Sequence, residues 1–96
     1  MTTKKEILNI IKNEREAIKS KGVKKIGIFG SFVKKNENEN SDIDILVSFD
    51  CPTFDNYMGL YYFLEKILKR KVDLVVEKDL KPEISYVKEE AEYVEI

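Results

Sequence analysis

Apolar positions fall into two spacings along this chain, and the points where one gives way to the other divide it into helices and strands. Ile7, Leu8, Ile11 and Ile18 lie on one stripe at helical spacing. Thr3-Lys4-Lys5-Glu6 has the form of a capping box, with Thr3 as N-cap, and Gly22 is placed to end the helix. That stripe predicts a single helix covering one sheet face. Residues 24–29 form a short β-rich run, interrupted by Gly30-Ser31. Residues 31–35 are expected to make a helical turn, and residues 34–40, with no apolar member, a solvated loop. Residues 42–49 read as the second strand, which Pro52 stops. Thr53 or Asp55 can cap a helix running to about Lys69, with Tyr57, Leu60, Tyr61, Leu64, Ile67 and Leu68 on one face. Residues 72–76 are a third strand, nearly all apolar except for Asp73. Pro82 suits the first position of a last helix over about 83–90, and residues 93–96 a terminal strand. This order predicts an α/β (α+β) fold, a small mixed sheet flanked by helices in one domain spanning 1–96.

Composition narrows the function. Seventeen basic and 18 acidic residues give a formal net charge of −1, so no basic face is implied and nucleic acid is not expected as a partner. No apolar run approaches membrane length, and the opening residues lack the apolar region of a signal peptide. Cys51 stands alone, so no intramolecular disulfide can form, and a reducing, cytoplasmic location is expected. There is no histidine, which removes His-based triads and imidazole general bases from consideration.

The chemistry concentrates between residues 26 and 47. On a strand Asp42 and Asp44 point to one side, about 7 Å apart, and Ile43 and Ile45 to the other. Two such carboxylates can converge on one or two hard cations. A helical turn opened by Gly30-Ser31 would offer free N–H groups to a phosphate. Each feature has a plainer reading: an ordinary turn, or aspartates facing solvent while the isoleucines face the core. Asp73, inside an apolar strand, risks burial unless a cation, an edge position or a partner such as Lys71 satisfies it.

Together these residues are far more specific than apart. Gly30-Ser31, ten residues, Asp42-Ile43-Asp44 and then an acidic residue on a later strand resemble the polymerase-beta-type nucleotidyltransferase superfamily. The 96-residue length matches its smallest branch, the MNT (minimal nucleotidyltransferase) proteins, which serve as antitoxins in HEPN/MNT toxin–antitoxin pairs. The runs Ser-Asp-Ile-Asp-Ile-Leu-Val and Lys-Val-Asp-Leu-Val also look like that family.

The resemblance implies that Asp42, Asp44 and Asp73 bind catalytic Mg²⁺, with Asp73 also helping to deprotonate the acceptor hydroxyl. It implies that Ser31 and the backbone around Gly30 hold the nucleotide's terminal phosphates. Many family members carry an Arg-Gly pair shortly after Gly-Ser. Here Lys34-Lys35 stands instead, and Lys34 can offer a phosphate charge but no bidentate fork. The activity implied is transfer of AMP from ATP to a tyrosine hydroxyl of a HEPN-type toxin. The alternative is an antitoxin that neutralises its partner by masking it. Met58, Tyr62 and Phe63 leave more apolar surface on their helix than one core contact explains. A partner contact, a wider core and a homodimer face all fit that surface.

Overall fold

The computed structural model describes residues 4–29, 42–79 and 91–96. The N-terminal stripe forms two helices, α1 (Lys4–Asn13) and α2 (Arg15–Lys19). The expected single helix breaks at Glu14, whose N–H is shared between the carbonyls of Ile10 and Ile11 at 3.1 Å each. The Arg15 guanidinium donates to the Lys12 carbonyl at the same point. Ile7, Ile11 and Ile18 are buried all the same, because both pieces keep the stripe facing the sheet. The capping role of Thr3 lies outside the described residues.

Gly22, at φ +83°, turns the chain into β1 (Val23–Phe29). Strand β2 (Ile43–Phe49) begins one residue later than expected. Helix α3 (Phe54–Leu68) is capped by the Thr53 hydroxyl, which accepts from the Asn56 N–H, and Lys69 closes it in the left-handed conformation. Strand β3 (Val72–Val76), a single 3₁₀ turn (Glu77–Asp79) and β4 (Glu92–Val94) complete the described elements. The expected turn at 31–35 and helix at 83–90 fall outside them.

The sheet order is β3-β2-β1-β4. β1 runs antiparallel to β2 and β4, while β2 and β3 run parallel, so the sheet is mixed as expected. On one face Ile26, Ile28, Ile43, Ile45, Val47, Val72 and Leu74 form one core with Ile7, Ile11, Ile18, Leu60, Leu64 and Leu68. All three described helices therefore lie on this face, and alternation sends the intervening side chains to the other.

Two close approaches fix the sheet's edges. A Cβ on Gly27 would meet the Glu92 carbonyl oxygen at 2.7 Å and the Tyr93 ring at 2.9 Å, so β4 can lie here only against a glycine. At the opposite edge, Ile43 N–H bonds to the Lys71 carbonyl, and alternation turns the backbone of Val72 and Leu74 outward. The Tyr57 hydroxyl donates to the Leu74 carbonyl at 2.8 Å, and Glu65 accepts from Val72 N–H at 3.4 Å. Two side chains of α3 thus cover the outer edge of β3.

Candidate active site

Two of the three expected carboxylates are brought side by side by strand register. Asp44 pairs with Asp73 across the parallel β2–β3 ladder, and with Phe29 across the β1–β2 ladder. The parallel pairing sets the two backbones about 5 Å apart and points both side chains away from the helices. Asp73 is exposed and Asp44 half-buried. The feared burial of Asp73 does not arise, because β3 is an edge strand of the described sheet.

Asp42 is exposed and sits just ahead of β2, two residues from Asp44. Among the described residues, no three His, Cys, Asp or Glu side chains form a ready cluster for a metal ion. Asp44 and Asp73 are nonetheless hard oxygen donors on one sheet face. That donor chemistry fits Mg²⁺, which is bound through one or two carboxylates and keeps several waters. Gly30, Ser31 and Lys34 lie outside the described residues. Phe29, the partner of Asp44, is the residue directly before Gly30.

Successive rows across this second face differ in chemistry. Next to the acidic row comes Tyr93–Gly27–Leu46–Val75, in which Leu46 is fully buried. Beyond it lie Lys25, Ser48 and Glu77. The Lys25 ammonium stands 4.3 Å from the centre of the Tyr93 ring and 3.8 Å from Glu77 Oε2. Burial, then the Glu77 charge and its hydrogen bond, push the Tyr93 hydroxyl pKa up. Sequence reasoning missed this cluster. The alternation Lys25-x-Gly27-x-Phe29 was its available signal, as the unbroken run Ile45-Leu46-Val47 was for burial on both faces.

A cavity of about 300 Å³ opens at the far ends of β2 and β3, lined in part by Phe49, Tyr57, Val76 and Asp79, and so stands apart from the carboxylates. Burial first, then the charges of Asp73 and Asp79, raise the Tyr57 pKa above 10.0. A raised phenol pKa favours folding below the unfolded value of about 10 and loses that contribution as pH climbs through the folded value. Tyr57→Phe is therefore expected to cost about 1 kcal/mol at neutral pH and to flatten the alkaline fall in stability. Urea titrations at pH values either side of 10 check both points.

The fold and this face define a nucleotidyltransferase. Residues 8–94 match the nucleotidyltransferase domain family, and the chain belongs to that family. It falls among the minimal members. A solved structure of a provisionally assigned minimal nucleotidyltransferase superposes with a TM-score of 0.72 at 33% identity, over 88% of this chain and 93% of that one. Thermococcus cleftensis protein adenylyltransferase MntA is 38% identical over 87 residues, 88% of each chain. A toxin–antitoxin crystal structure with AMP-PNP matches with a TM-score of 0.57 at 27% identity, over 73% of this chain and 60% of that one. Among the described residues, no helix is long and apolar enough to cross a membrane.

Proposed function

We propose that this nucleotidyltransferase moves AMP from ATP to a tyrosine hydroxyl of a HEPN-type toxin in the cytoplasm, and so acts as its antitoxin. The observation that carries the reading is Asp44 beside Asp73 on the sheet face turned away from the helices. Likeness to MntA supports a protein acceptor, and likeness to the AMP-PNP complex supports an adenine nucleotide.

Asp42, Asp44 and Asp73 would hold Mg²⁺, which when bound supplies positive charge to the reacting phosphates. The tyrosine oxygen bonds to the α-phosphorus of ATP while the bond from that phosphorus to pyrophosphate breaks. Asp73 takes the hydroxyl proton as the new bond forms. Ser31 and the backbone around Gly30 hold the terminal phosphates, and Lys34 adds charge beside them. Because Asp44 and Asp73 stand opposite each other on two bonded strands, the ladder sets their backbone positions when the chain folds.

The test is incubation with labelled ATP, Mg²⁺ and the product of the neighbouring gene. Label is expected on a partner tyrosine. The double variant Asp42→Asn with Asp44→Asn should abolish it, while a pull-down still recovers the partner. Should that variant still protect cells from the toxin, the protein works by masking and the transfer reading fails.

A further inference from the structure

We propose that the outer face of α3 pairs with the same face of a second copy of this chain, the two helices running antiparallel. Opposite Leu60, Leu64 and Leu68, helical periodicity turns Asp55, Met58, Gly59, Tyr62 and Lys66 to one side. Tyr62 is 62% exposed, its ring held edge-on 5.4 Å from that of Tyr61. Beside it Gly59 leaves a notch, since a Cβ built there meets nothing within 4 Å. Glycine inside a helix is destabilising, and no contact within the described chain requires it here.

The notch and the ring answer each other across a two-fold axis. With that axis between residues 60 and 61, Gly59 faces the second copy's Tyr62, and Tyr62 faces the second copy's Gly59. The same operation sets Asp55 against the second copy's Lys66. Acidic charge lies in the first turn of α3 and basic charge in the last, so this face is complementary to itself only when antiparallel. That self-match argues for a second copy over an unrelated chain. One helix a side is a small contact, so the association is weak and rises with concentration. The core face of the sheet separates α3 from Asp44 and Asp73, so both copies keep their carboxylates clear.

Sedimentation velocity on the full chain over a concentration series tests this directly. Rapid exchange between monomer and dimer is expected. Asp55→Lys or Lys66→Asp alone should weaken the dimer roughly tenfold, since each replaces two attractions by two repulsions. Joining the two changes in one chain should return the affinity to within about threefold of the parent. Gly59→Gln should also weaken pairing while the melting temperature holds or rises, which separates a filled notch from a damaged fold. A monomer at every concentration, or a combined variant no better than either single one, overturns the proposal.

Discussion

Asp73→Asn is expected to lower AMP transfer roughly 10²–10³-fold while leaving the protein folded, and Asp44→Asn to do the same. A carboxamide keeps the shape of the side chain but neither accepts the acceptor's proton nor brings negative charge to a cation. The effect on stability should run the other way for Asp73. Two aspartates directly opposite on neighbouring strands repel, and removing one charge is worth a few tenths of a kcal/mol. Asp73 is exposed, so the substitution opens no cavity. Labelled-ATP transfer and thermal melts on the same preparations check both halves. Undiminished transfer by Asp73→Asn would remove that residue from the chemistry, and a clear drop in melting temperature would refute the repulsion.

Ile45→Ala, one residue beyond Asp44 on β2, should have the opposite profile. Ile45 is fully buried between Ile28 and Leu74 in the central row of the core face. Truncation there costs about 3 kcal/mol, the transfer energy of the lost carbons plus the cavity they leave. Against a total stability of roughly 5–15 kcal/mol, that is a large share. Urea unfolding should show the midpoint falling with an unchanged slope. Neighbouring positions on one strand thus separate stability from chemistry, because alternate side chains serve opposite faces.

The same alternation explains how much could be read without coordinates. It assigned Ile43, Ile45 and Val47 to the core and Asp44 to the other side, while Asp42 falls just ahead of β2; the helical stripe of Leu60, Leu64 and Leu68 is buried as expected. What local pattern does not contain is register. Nothing in residues 72–76 says that Asp73 stands beside Asp44 and not one pair along. That is decided by the connection through α3 and by the Ile43–Lys71 hydrogen bond. Exposure of Asp73 depends in turn on its strand lying at an edge. The break at Glu14 likewise arises from one bifurcated backbone bond, which leaves no trace in hydrophobic spacing.

The hydroxyl of Tyr57 and the carboxylate of Glu65 sit where an incoming strand would have to bond to β3. A peptide seeking to extend the sheet there must first displace both side chains, and at the other described edge β4 offers only three residues. Lengthening of the sheet, the usual route from an open edge to fibrillar aggregation, is therefore obstructed along β3. Tyr57→Phe with Glu65→Ala would strip that guard while leaving the core residues untouched.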